Sequence, residues 1–400
     1  MHRGSASRIT DGNFRFVLWE SIREAVARAR PARLSSPRVR RYLEKNRGLF
    51  LPYLDALEPY YVLPRPTLPT AQRARENANI AALWVVASGT KTASREERLA
   101  LAKYTGFGGL DIESNVDKFP IGIEPEKYGL LHEYYTPYEI ADEVVRVLEP
   151  FVAELADASG RIRALEPSAG IGRFLDAANR SLRSVSLVWT AVELSVPSSR
   201  ICALLHPAAD VHNESFEQFN GERTGRERWG LVLCNPPFGS SAATRTFADQ
   251  DPDPEYDEPY DFAYFMRRSL DALEYQGIGV FIVQQSFLTS ATNRKIREKL
   301  LLNHHLMAAF RLPSQDSSGK PVFPGQLTVV DVLFFRSRGG RLTAVPERDA
   351  YVVAGDYFKT HPDHVLGEEK TEGTWRYAVV ADSSSARHHR AGRLRRVCCH

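Results

Sequence analysis

The stretch that most constrains this chain is Leu231-Val-Leu-Cys-Asn-Pro-Pro-Phe-Gly239. Four apolar residues of strand length run directly into Asn235 and two prolines. An unbroken apolar run of that length suits a parallel strand buried on both faces. Pro236 and Pro237 have no backbone N–H to donate, so the ladder stops there. The residue before a proline is kept out of the helical region, which holds Asn235 extended. The product is a stiff corner at a strand's carboxyl end, presenting a side-chain amide, a main-chain carbonyl and an aromatic face. That trio suits a flat heterocycle with an exocyclic amino group. The Asn235 oxygen and the Pro236 carbonyl can accept its two N–H groups, while Phe238 stacks on the ring.

The flanking sequence supplies a sheet for such a corner. Ile162–Phe174 reads as a short strand ending at Glu166, a tight glycine turn, and a helix with Phe174, Leu175 and Ala178 inward. This is the pattern of the first strand-to-helix turn in a doubly wound fold, where ligands bind at the strands' carboxyl ends. Gly170 and Gly172 would let the backbone approach a ligand. The dinucleotide fingerprint wants a third small residue where Leu175 stands, and Glu166 would repel a pyrophosphate. A cationic ligand fits better. Ser186–Val192 is a second strand, and Glu193 at its end is placed to accept hydrogen bonds from ribose hydroxyls. Val211–Glu217 holds the end of a third. Beyond the corner, Phe262–Leu273 and Thr292–Leu302 have helical periodicity, while Gly277–Val283, Leu306–Leu312 and Leu327–Arg336 read as strands. The alternation predicts an α/β sheet with helices on both faces.

Upstream, Tyr134-Tyr-Thr-Pro137 leads into a helical stripe over 140–148, with Thr136 as N-cap and Pro137 at the first helical position. Thr70–Ser88 and Arg98–Tyr104 also read as helices, the second preceded by the capping-box spacing Ser94–Glu97. Between these blocks lies the glycine-rich turn Tyr104-Thr-Gly-Phe-Gly-Gly-Leu110. The stretch 240–261 is polar and then acidic, and reads as a mobile surface loop.

Charge is unevenly spread on a chain with net charge of only +3. Residues 1–50, which read as helices from position 14, carry twelve Arg/Lys against four Asp/Glu, and residues 383–400 carry five arginines and no acid. Basic ends of this kind can grip phosphates or simply face solvent. No apolar run reaches the length of a membrane span and no signal-peptide core is visible, so no membrane partner is expected. The four cysteines fit neither a disulfide framework nor zinc spacing, which predicts a cytoplasmic location and no metal.

The motifs Tyr135-Thr-Pro137, Glu166-Pro-Ser-Ala-Gly-Ile-Gly172 and Asn235-Pro-Pro-Phe238 occur here in that order. In this the chain resembles the S-adenosylmethionine-dependent DNA adenine-N6 methyltransferases of the Asn-Pro-Pro-Phe class, of the kind found in large plasmid- and phage-borne methylases. Tyr104–Leu110 and Asp356–Gly367 are similar to segments of that same subgroup. The resemblance covers roughly residues 130–340. It implies a Rossmann-like class I methyltransferase fold, with a seven-stranded, mostly parallel sheet whose last strand is antiparallel. It implies a basic helical region over 1–125, a catalytic domain over 126–340, and a short extension with a basic tail over 341–400.

The catalytic residues it implies are Asn235, Pro236, Pro237 and Phe238. S-adenosylmethionine would be held by Tyr135, Thr136, Pro137, Glu166, Pro167, Ser168, Ala169, Gly170, Gly172, Glu193, Phe216 and Asn235. Many relatives carry an Asp before the aromatic of the third strand's turn, where this chain has Ser215. The implied substrate is DNA, with the target base flipped from the duplex. A protein partner or a further C-terminal segment would supply target recognition. Two alternatives stay open: methylation of RNA guanine N2 or protein glutamine, which the same tetrapeptide serves, and an incomplete DNA-binding module of a mobile-element or anti-restriction assembly.

Overall fold

Strand β4 (Trp229–Cys234) is buried along its whole length, as its unbroken apolar run requires. Its alternate side chains enter two different cores. Leu231 and Leu233 face one, and Val232 and Cys234 the other. The same alternation recurs in β5 (Leu273–Gln284) and β7 (Val330–Ser337), where Ile282 and Phe334 share the first core and Val283 and Phe335 the second. A computed structural model describes residues 65–108, 110, 118–120, 133–223, 227–238, 251, 253–372 and 376–381. The chain divides into Met1–Pro64 and Arg65–His400. The helices expected over 14–60, residues 240–250 of the polar and acidic stretch, and the basic tail lie outside the described residues.

The remaining strands are β1 (Arg161–Glu166), β2 (Ser186–Val192), β3 (Asp210–His212) and β6 (His304–Leu312). The sheet order is β3-β2-β1-β4-β5-β7-β6. Strands β1 to β5 pair in parallel, and β7 runs antiparallel to both β5 and β6. This is the seven-stranded, mostly parallel α/β sheet with an antiparallel last strand that the resemblance implies. On one face pack α3 (Tyr138–Arg146) and α4 (Arg173–Ser181). On the other pack α6 (Phe216–Arg223), α7 (Asp261–Asp271) and α8 (Arg294–Asn303). Helix α5 (Val196–Leu205) sends Cys202 into the first core.

Two helices precede the sheet, α1 (Gln72–Ala87) and α2 (Arg95–Leu101). The capping box at α2 forms as expected. The Ser94 hydroxyl accepts from Glu97 N, and the Glu97 carboxylate accepts from Ser94 N. Leu83, Leu101 and Tyr104 are fully buried in a third core that also takes in Ile171 and Ile201 from the sheet domain. Residues 72–107 therefore share a core with the chain on the far side of residue 126.

Residues 357–366 lie along the exposed edge of β6. Leu366 N donates to Arg311 O (2.9 Å), and the His364 ring stacks on Phe310 at 4.7 Å. A covered edge cannot pair with another chain. Two acidic residues at positions 251 and 258 are tied down: Asp251 pairs with Arg268 (3.0 Å), and Glu258 with Lys299 (2.7 Å) and Arg267. Among the described residues no helix is long and apolar enough to cross a membrane, and no group of three His, Cys, Asp or Glu is placed to hold a metal ion.

Candidate active site

The carboxyl ends of β1, β2 and β4 meet around one cavity of about 310 Å³. The turn after β1 is held by its neighbour strand. Ala169 N donates to Val192 O (2.9 Å), and Gly170 N donates to the Glu193 carboxylate (2.7 Å), whose other oxygen accepts from Ser195 N (2.8 Å). Gly170 and Gly172 both sit in the left-handed region, at φ 54° and 78°. Neither lines the cavity. A side chain at Gly170 would meet the Tyr135 ring at 2.9 Å, and one at Gly172 the His206 ring at 2.5 Å. The space where a side chain would stand at these glycines is taken by the rings of Tyr135 and His206.

Asn235 is fixed from two sides. The Ser168 hydroxyl donates to its main-chain carbonyl (3.0 Å). Its side-chain nitrogen donates to Tyr134 O (3.3 Å) and to Thr136 Oγ1 (3.2 Å). A carbonyl can only accept, so Tyr134 settles which end of the amide is which. Among the described residues, Asn235 Oδ1 is left buried without a hydrogen-bond partner. A buried acceptor in that state costs about 1–3 kcal/mol, which an N–H donor in the cavity would recover. Thr136 departs from its expected part. The helix begins at Tyr138 with Pro137 as its N-cap, and the Thr136 hydroxyl serves Asn235 instead of capping.

Of the residues singled out by sequence, Asn235, Pro236, Pro237 and Phe238 line the cavity, as do Tyr135, Thr136, Glu166, Pro167, Ser168, Ala169, Glu193 and Phe216. Pro137 does not line it. Phe216 packs at 5.0 Å from Phe265. The Ser215 hydroxyl accepts from Gln218 N (3.1 Å), the bond of a helix N-cap. Its hydroxyl therefore has a structural task at the start of α6.

Sequence reasoning missed Glu133, Arg173, Glu217, Gln284 and Gln326, which also line the cavity. Arg173 is 4% exposed and donates to Tyr104 O (2.7 Å) and Thr136 O (3.0 Å). Its position in the first turn after the glycines was the available signal. Glu217 immediately follows Phe216, but nothing in the sequence marks it as half-buried at a cavity wall.

The lining is strongly acidic. Among the described residues, Glu133, Glu166, Glu193, Glu214, Glu217 and Asp261 stand against a single cationic side chain in the wall, Arg173. Burial pushes the Glu193 carboxyl up to about 7, and burial does the same at Glu217, to about 7. Glu166 is raised well above the carboxylate range by burial and by Glu193, and among the described residues its Oε2 has no hydrogen-bond partner. Like charges this close resist ionising together. A phosphate would be repelled here, whereas a cation would let the carboxylates ionise. Glu166 and Glu193 thus fit a ligand that carries positive charge beside a nucleoside.

Known proteins can be set beside this geometry. A stretch of 267 residues is 32% identical to the "Defense against restriction protein B" of Escherichia phage P1, covering 66% of this chain and 10% of that protein. The chain thus spans about a tenth of that curated relative's length. The methyltransferase subunit of a type I restriction-modification system from Streptococcus thermophilus is 17% identical, with TM-score 0.43, over 57% of this chain and 53% of that one. The M protein of the type I restriction enzyme EcoKI is 22% identical, with TM-score 0.40, over 51% of this chain and 44% of that one. Residues 203–316, which contain the Asn235 corner and strands β3 to β6, match the sequence model of the family described as Eco57I restriction-modification methylase.

Proposed function

We propose that this chain transfers a methyl group from S-adenosylmethionine to the N6 amino group of adenine in DNA. The observation that carries the reading is the Asn235 amide: its nitrogen is engaged by Tyr134 and Thr136, and its oxygen is buried at the cavity wall with no hydrogen-bond partner among the described residues. The family match over residues 203–316 supports it, since that match includes the Asn-Pro-Pro-Phe corner.

The acidic wall suits the cofactor. Its sulfonium and ammonium groups would meet Glu166 and the neighbouring carboxylates, and its ribose hydroxyls would meet Glu193. When bound, the cofactor supplies an electrophilic methyl carbon. The residues of this chain do the rest. The adenine amino nitrogen is a poor nucleophile because its lone pair is delocalised into the ring. Asn235 Oδ1 and the Pro236 carbonyl, accepting its two hydrogens, hold the nitrogen towards tetrahedral geometry and aim the lone pair. Phe238 stacks on the ring and replaces the neighbours lost when the base leaves the duplex. Catalysis is then positioning and electrostatics in a water-poor cleft, without a covalent enzyme intermediate. The amino proton can leave after transfer, so no general base is required beforehand.

The test is transfer of labelled methyl to unmethylated DNA followed by nucleoside analysis. N6-methyladenine is the expected product. Methylated guanine in RNA or glutamine in a protein substrate, with none in DNA, would favour the other amine acceptors that this corner suits.

A further inference from the structure

Resting on that reading of Asn235, we propose that the glycine-rich turn Tyr104–Gly108 is a positioning element of the active site. It fixes, through Glu133 and Tyr134, where the Asn235 amide stands. The turn is gripped from behind by buried side chains of α1. Asn79 donates to Gly106 O (2.8 Å) and accepts from Thr105 N (2.9 Å). Arg75, 2% exposed, donates to Gly108 O (2.9 Å). In front, the turn grips Glu133 twice: Gly108 N donates to its carbonyl and Phe107 N to its carboxylate, each at 3.1 Å. The next residue, Tyr134, carries the carbonyl that accepts from Asn235 Nδ2. Arg173 ties both ends of the assembly, reaching Tyr104 O and Thr136 O.

The contact leaves no slack. A side chain at Gly106 would stand 2.5 Å from Glu133 O. One at Gly108 would stand 2.6 Å from the same oxygen and 2.9 Å from the Tyr134 ring. Gly106 also needs its left-handed φ of 75°. Gly108 adopts no such conformation, so glycine is required there by contact alone. An alanine at Gly108 therefore displaces Glu133 and Tyr134 without straining its own backbone. Arg75, Asn79, Gly106 and Gly108 do not line the cavity, so their influence on chemistry runs through the segment they hold. A displacement on the order of 1 Å at a reacting group can cost about a hundredfold in rate.

The experiment compares Gly108→Ala, Arg75→Lys and Leu83→Ala with the wild type. It measures methyl transfer to DNA at saturating S-adenosylmethionine, cofactor affinity by equilibrium dialysis, and thermal unfolding. Leu83 lies in the core under the same helix but contacts neither Glu133 nor Tyr134 through the bonds above. The inference expects Gly108→Ala to lose at least about tenfold in saturated rate, more than it loses in affinity. Arg75→Lys should move the same way by less. Leu83→Ala should lower the unfolding temperature yet keep its rate at a temperature where it is folded. Arg75→Lys decides the matter should Gly108→Ala fail to fold. Folded Gly108→Ala and Arg75→Lys proteins transferring within twofold of wild type would overturn the inference, and so would a rate loss in Leu83→Ala equal to theirs. A wild type that transfers no methyl fails at an earlier point, since it removes the underlying reading.

Discussion

Asn235 illustrates how one side chain can be assigned its direction by its neighbours. Tyr134 and Thr136 take both amide hydrogens, so the oxygen has nothing left to do inside the protein. Asn235→Ala should lower the rate of methyl transfer about 10²–10³-fold, the range for loss of one preorganised hydrogen-bonding group. Cofactor affinity should change by less than about threefold. Glu166 makes the complementary case for the cofactor. Its buried, partnerless Oε2 is a burden on the empty fold and an asset to a bound cation. Glu166→Gln should leave the ligand-free protein at least as stable at pH 8, while weakening S-adenosylmethionine about tenfold. Calorimetric titration and thermal unfolding of the same samples would show it, and unchanged affinity would argue that the cation lies elsewhere.

The Glu193 carboxyl gives a pH dependence with a definite sign. Its folded-state value, about 7, lies above its ordinary 4.5. The ligand-free fold therefore has this group's contribution below pH 4.5 and has lost it once pH passes 7. Cation binding runs the other way, because it favours the ionised wall. Affinity for S-adenosylmethionine should rise between pH 5.5 and 8, and a flat profile would contradict the electrostatic account.

At the scale of elements, the strands were legible in the sequence because strands buried on both faces need continuous apolar runs, and β4, β5 and β7 show them. The strand ends at Glu166, Val192 and Leu312 fell where the sequence put them. The parts that were not legible share a cause. Thr136 has the right type and position for an N-cap, but its hydroxyl is claimed by Asn235, 99 residues away. The glycines after β1 signalled a tight turn, and both take a left-handed φ there. What fills the space beside them depends on Tyr135 and on His206, which local sequence does not reveal. Gly172 opens α4 at φ 78° with the His206 ring 2.5 Å from where a side chain would stand. Gly172→Ala should therefore destabilise the fold by about 2 kcal/mol or more, read as a lower urea midpoint. A midpoint equal to wild type would show that the helix start can shift to absorb the clash.

For the whole molecule, the core shared by α1, α2, Ile171 and Ile201 bears on where the catalytic unit begins. We propose that the working unit starts before residue 126 and includes α1 and α2. Removing these helices would bare Ile201 and the turn after β1, and take away the Tyr104 carbonyl that Arg173 holds. A chain starting at residue 126 should unfold at least about 5 °C below one starting at residue 65. Equal unfolding temperatures would return the boundary to 125/126. The most direct measurement of the central claim is methyl transfer from labelled S-adenosylmethionine to unmethylated DNA, with wild type and Asn235→Ala side by side. The account predicts N6-methyladenine from the wild type and about a hundredfold less from the variant. Equal transfer by both, or cofactor binding by the wild type with no transfer to adenine, would contradict it.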